Sequence, residues 1–188
     1  MNKMALILVS LIVGVTAQAE WQADPANKKQ VASADAITEI KERIPRSQPF
    51  FEDAYGMAVF PSVTRLGFGF GGAAGRGFVI EGDTIIGTTR FWQFTSGIQA
   101  GVRNFSMVIL FKDKVALDYF KQGKAQFMGQ AGLAAFTKGV AETPAYNDSV
   151  AIFTVTRLGL MGEFTVSGAK FTYKPLPGME DSEDEAQE

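Results

Sequence analysis

The chain has 188 residues, 18 basic against 20 acidic side chains, 46% hydrophobic residues, 20 glycines, no cysteine and no histidine. That length suits one domain with a sizeable core. The missing thiol and imidazole exclude disulfide staples, cysteine or histidine catalysis and the usual zinc ligand sets, and so small a charge imbalance gives no reason to expect a nucleic-acid partner.

Lys3, the apolar run Met4–Val15 and Ala17-Gln18-Ala19 have the order of an export signal. The run is too short to span a bilayer and ends in a small-residue cleavage site, so cleavage after Ala19 is expected. With no cysteine to carry a lipid anchor, a periplasmic or secreted protein follows. The expected organisation is a signal peptide over 1–19, a lead-in over 20–30, one domain over 31–174 and an acidic, disordered tail over 175–188. Six acids fall in that tail: Glu180, Asp181, Glu183, Asp184, Glu185 and Glu188. With the tail and Lys3 set aside, 17 basic residues face 14 acidic ones, so the body is mildly basic.

Asp24-Pro25 can open a helix there or slightly later. Ala34, Ile37, Ile40 and Ile44 mark one apolar helical face, and Pro45 stops it. A short helix is predicted over Pro49–Tyr55, halted by Gly56. Beyond it the chain turns β-rich: strands over Met57–Phe60, Leu66–Gly72 and Gly75–Glu81, a turn at Gly82-Asp83, then strand from Thr84. Further strands are predicted over Arg90–Phe94, Gly97–Arg103 and Phe105–Phe111, with a turn or bulge at Asn104. Asp113 caps a helix that closes near Gly123. Lys124–Phe136 leans towards strand, and a polar break spans Pro144–Asp148. The fold class is α+β: a large twisted antiparallel sheet or partial barrel packed by about three helices.

Ala58–Ile80 returns in part as Ala151–Tyr173. Val63-Thr64-Arg65-Leu66-Gly67 recurs as Val155-Thr156-Arg157-Leu158-Gly159, with Ala58, Val59 and Phe60 matched by Ala151, Ile152 and Phe153. Two copies are too few for a solenoid, so two pseudo-equivalent hairpins in one sheet are expected. In the first copy Leu66, Phe68 and Phe70 fall on one strand face, expected to supply core, and Gly67, Gly69 and Gly71 on the other. A bare glycine face admits a close neighbour, a packed helix or a tightly curved sheet before a ligand.

The order of segments resembles the SYLF family of lipid-binding domains over most of Ile44–Tyr173. The matching residues are Ile44-Pro45, AYGMAVFP, GFGFGGAAGRGFVI, SGIQAGVRNFSMVILF, KVALDYFKQGKAQF and TRLGLMGEFTVSGAKF. The resemblance implies a non-enzymatic domain that binds phospholipid head groups, phosphoinositides in eukaryotic members, with actin binding in one fungal branch. An export signal removes actin and cytoplasmic phosphoinositides as natural partners. The first helix, an amphipathic membrane contact in eukaryotic members, here mixes Asp35, Glu39 and Glu42 with Lys41 and Arg43, which weakens its claim on anionic lipid.

Gly69 to Ala74 imitates the dinucleotide fingerprint G-x-G-x-x-A, but strand residues follow where a helix must open, so no nucleotide cofactor is expected. Carboxylates outside the tail are scattered, and neither a catalytic pair nor a metal site is expected. Arg65 and Arg157 hold equivalent places in the two copies; a pseudo-twofold would let them flank one phosphate, while the plainer reading is turn capping or pairing with an acid such as Glu163. Lys41, Arg43 and Arg46 cluster at the end of the first helix, where the dipole alone favours them. Arg76 and Arg90 flank the glycine-rich stretch. Phe50, Phe51, Phe91, Trp92 and Phe94 suit a core or a membrane interface, and Trp21, near a free end, an interfacial anchor, a docked lead-in or a mobile terminus. The expectation is an exported phospholipid-binding domain using Arg65, Arg157, Lys41, Arg43, Arg46 and Arg76, with a structural or protein-interaction component of the envelope as the alternative. Oligomeric state is left open.

Overall fold

Residues 21–123 and 149–178 are described by the computed structural model of the protein, apart from the side chains at 97–99 and 158–168. The expectations for residues 1–20, for 124–148 and for the tail from 179 lie outside the described residues. The elements run α1 (Lys28–Arg43), a 3-10 turn (Pro45–Ser47), α2 (Gln48–Glu52), β1 (Gly56–Glu81), β2 (Thr84–Phe111), α3 (Lys114–Lys121) and β3 (Val150–Pro175).

Local chemistry sets the helix ends. Asn27, not Asp24, caps α1, its side chain accepting from the Lys29 and Gln30 amides at 3.1 and 3.4 Å. Asp24 instead accepts from the Ala26 amide one turn earlier. Asp113 caps α3 as expected, accepting from the Ala116 amide at 2.8 Å. Hydrogen bonds to Ser149 first, then to the Ala116 amide, hold the Asp113 carboxyl below its ordinary value of 3.8.

The α+β class and the large antiparallel sheet are as expected, but the two copies are not hairpins. Each is one long strand, β1 or β3, and β2 lies between them. A straight strand of 26 residues would run about 86 Å at about 3.3 Å per residue. Instead β1 doubles back. The register slips between Phe68 and Phe70, where Gly69 takes φ 70°, and Gly101 on β2 takes φ 135°. The far end then returns to the start: the Gly82 amide donates to the Tyr55 carbonyl at 3.4 Å. Glycine is required at this return, because a Cβ at Gly77 would strike the Val59 carbonyl and one at Gly75 would lie 2.7 Å from the Val63 side chain. The close neighbour at Gly75 and Gly77 is thus the curved sheet itself, whereas a Cβ at Gly69, on the face expected to be approached, would meet open space.

The bend divides the sheet. The proximal half runs from the row Gly56, Phe111, Val150 to the pair Phe68 and Ala100; the distal half runs from Phe70 and Ser96 to the β1–β2 turn. Between the halves lies the main core, where Phe60, Phe91 and Phe171 touch one another at ring-centroid distances of 5.1 to 6.1 Å. Helix α3 closes this core through Leu117 and Phe120, the latter 5.0 Å from Phe111. A second core covers the outer face of the proximal half: Ala36, Ile37 and Ile40 of α1 pack on Val59, Val108, Leu110, Phe153 and Val155. Trp21 docks into it and is buried, so among the described residues the lead-in is tied down.

Candidate functional site

The repeated arginines are not brought together. Arg65 follows Val63 on the inner face, is 5% exposed and donates to the Gln93 side chain at 3.2 Å, with Arg103 directly opposite on β2. Arg157 lies on the outer face and donates to Glu39 of α1 at 2.7 Å. The reason is a register difference of one residue. Phe60 to Val63 takes three steps and includes a bulge, whereas Phe153 to Val155 takes two, and β3 aligns Ile152, not Ala151, with Ala58 across β2. A one-residue offset sends every side chain to the opposite face, so equal sequence gives opposite exposure. The paired-arginine phosphate site is therefore withdrawn; Arg157 pairs with Glu39, and the side chain of Glu163 lies outside the described residues.

The α1 cluster is drawn inwards. Arg43 pairs with the other Glu39 oxygen at 3.2 Å, and Lys41 sits 5.0 Å above the Phe51 ring. Arg46 is exposed on the 3-10 turn. Nearby, a cleft between α1, α2 and the β1–β2 turn is lined by Trp21, Lys41, Phe51, Glu52, Tyr55 and Asp83. Its mixed signs favour no charged ligand. Tyr55 donates to Glu81 at 2.5 Å, and that bond, followed by burial, raises its phenol.

A different surface combines charge and apolar area: the outer face of the distal half. Antiparallel partners share a face, so its rows read Phe78, Thr88, Lys174; Arg76, Arg90, Thr172; Ala74, Trp92, Lys170; Gly72, Phe94, Gly168; and the pair Phe70, Ser96. Arg76, Arg90, Lys170 and Lys174 are exposed, and among the described residues none of them forms an ion pair. No acid occupies these rows. Arg76 and Arg90 stand directly opposite each other, an arrangement that destabilises a sheet unless an anion neutralises it. Towards the bend this face becomes apolar, with Phe70 69% exposed, Phe94 59% and Trp92 51%, and the apolar area continues across the bend onto the end of the proximal half, where Phe68 is 88% exposed and Leu66 pairs with Val102, both exposed. Phe70 and Phe94 stack at 6.5 Å. Leu66, Phe68 and Phe70, expected in the core, form this surface instead.

Of the residues expected at a site, only Arg76 belongs here, with its flanking partner Arg90. Lys170 and Lys174 were missed, although a signal exists. Arg90-x-Trp92-x-Phe94 carries its cation and aromatics at every second residue and Lys170-x-Thr172-x-Lys174 its two cations four residues apart, both spacings of one strand face. Among the described residues no helix is long and apolar enough to cross a membrane, and no cluster of acidic side chains could hold a metal ion.

No family model matches the chain, and no solved structure matches it. Among curated proteins it is similar to the beta cell expansion factor A of Aeromonas veronii, 27% identical over 139 residues. Those residues cover 72% of this chain and 52% of that protein, so the chain spans about half the length of its relative.

Proposed function

We propose that this is an exported, non-enzymatic phospholipid-binding protein that seats the outer face of its distal half on an anionic membrane surface. The observation that carries the reading is the continuity of an exposed aromatic zone and an acid-free cationic zone on one sheet face. The SYLF resemblance and the leader-like N-terminus support it. No catalytic step is assigned, since the chain offers neither thiol nor imidazole.

Magnitudes show why both zones matter. A cation near an anionic leaflet contributes about 1 kcal/mol, so Arg76, Arg90, Lys170 and Lys174 together supply about 4 kcal/mol before screening. Burying an exposed Phe or Trp contributes about 1.5–3 kcal/mol each. The terms are comparable, so salt weakens binding without abolishing it, and neutral vesicles retain a weaker interaction.

The test is co-flotation with phosphatidylglycerol and phosphatidylcholine vesicles. Arg76→Gln/Arg90→Gln should lose most of the preference for the anionic lipid, while Lys41→Gln/Arg43→Gln/Arg46→Gln should keep it. The reverse pattern would move the site to the α1 cluster. Failure of the protein to float with either vesicle, combined with a defined envelope protein captured by the same face, would favour the structural or interaction component instead.

A further inference from the structure

We infer that the acidic segment Glu180–Glu188 is an intramolecular occupant of the cationic zone, seated on Arg76, Arg90, Lys170 and Lys174 when no membrane is present. The seating rests on the geometry of the face. Only its consequence, competition with lipid head groups, rests on the function proposed above.

Charge complementarity is the first argument. Six of the nine residues 180–188 are acidic, and the zone they would meet carries four exposed cations with no ion pair among the described residues. Position is the second. The strand that holds Lys170 and Lys174 ends at Pro175, and the Leu176 amide donates to the Ile86 carbonyl at 3.1 Å, which keeps the chain beside β2. A turn follows, with Gly178 at φ 86° and open space around it. The described chain ends at Gly178, four residues after Lys174, and the acidic run begins two residues further on in sequence.

Reach is the third argument. Nine extended residues span about 30 Å. Lys170 lies about 13 Å along the strand from Lys174, and two strand spacings to Arg76 are about 10 Å. So short a tether holds the acids at millimolar effective concentration over the zone. The segment has no aromatic residue, so the Phe68, Phe70 and Phe94 end of the face stays uncovered. Seating thus opposes only the electrostatic part of membrane attachment.

Because the chain contains no cysteine, Ser182→Cys carries a single nitroxide. In lipid-free, low-salt buffer it should broaden the backbone resonances of Arg90, Trp92, Lys170 and Thr172 but spare those of Lys41 and Arg43 on α1. The broadening should vanish at about 0.5 M salt, where the Debye length shrinks to a few ångströms. Uniform or absent broadening would overturn the inference. In parallel, a full-length variant with all six tail acids changed to their amides should bind phosphatidylglycerol vesicles about three- to tenfold more tightly at low salt and phosphatidylcholine vesicles no differently. If neither protein binds vesicles but the selective broadening is present, the seating stands and the membrane function falls. If the native chain binds vesicles while broadening is absent and the amides change nothing, the seating falls and the membrane function stands.

Discussion

The proximal and distal halves of the sheet are built from the same three strands, yet their outer faces end differently. On the proximal half, Val59, Val108, Leu110 and Phe153 are covered by α1, with Phe50 and Phe51 of α2 packed at the Phe153 edge. On the distal half, Trp92, Phe94 and Phe70 have no such cover among the described residues, and cations replace aliphatics in the next rows. Contiguous exposed apolar area on a folded domain marks an interaction surface more often than a defect. The covered half holds the fold, and the half left uncovered among the described residues is the surface proposed to meet the membrane.

The sharpest way to break the comparison is to prevent the halves from meeting. Gly77→Val drives a side chain into the Val59 carbonyl at the return of β1, and it should cost about 3 kcal/mol in denaturant unfolding. A variant as stable as the native chain would mean that the bend is not held as described.

Changes confined to the uncovered half should do the opposite, altering binding but not folding. Phe70→Ala/Phe94→Ala removes the stacked pair and should weaken vesicle binding by about 3 kcal/mol, about 100-fold, with the thermal midpoint little changed. Arg76→Gln/Arg90→Gln should cost about 2 kcal/mol on anionic vesicles, about 30-fold. It should leave stability equal or slightly raised, because the opposed charges are gone. A large stability loss in either variant would place these side chains in the fold rather than on its surface.

The smallest effect belongs to the covered side of the molecule. The Asp113 carboxyl is depressed by its bonds to Ser149 and the Ala116 amide. Its contribution is therefore present above the ordinary value of 3.8 and is lost as pH falls through the lower folded value. Asp113→Ala should lower the thermal midpoint by about 2–4 °C at pH 7, and the gap to the native protein should narrow progressively in scans taken at pH values below 3.8.

Much of the fold was legible in the chain, because its signals were local. Pro45, Asp113 and the Gly82-Asp83 turn punctuate the elements where they fall, and Asn104 marks a true slip in the β2–β3 register. Helix α1 shows its buried face at Ile37 and Ile40. The continuity of the long strands was not legible: the break expected between Gly72 and Gly75 is unbroken strand, while Gly69, read inside a strand, is where that strand bends. Nor was the face of a given side chain beyond a bulge. Phe68 and Phe70 alternate as core residues do, but alternation from the inner residues Val63 and Arg65 puts Phe68 on the outer face, and Phe70 is exposed on that face beyond the slip at Gly69. Arg65 and Arg157 carried the strongest repeat signal and misled for the same reason: identity of sequence fixes neither register nor face. The site itself required three strands to be aligned before Arg76, Arg90, Lys170 and Lys174 became neighbours.

The central claim is that the distal outer face, and no other, touches the membrane, and the emission of Trp92 tests it most directly. The chain has two tryptophans, one buried and one on this face, so Trp21→Phe leaves Trp92 as the sole reporter. Adding phosphatidylglycerol vesicles should shift its emission to the blue and make it accessible to quenchers carried on the lipid chains, with both effects weakened by salt. Vesicle binding that leaves Trp92 emission unchanged and unquenched would show that another surface makes the contact.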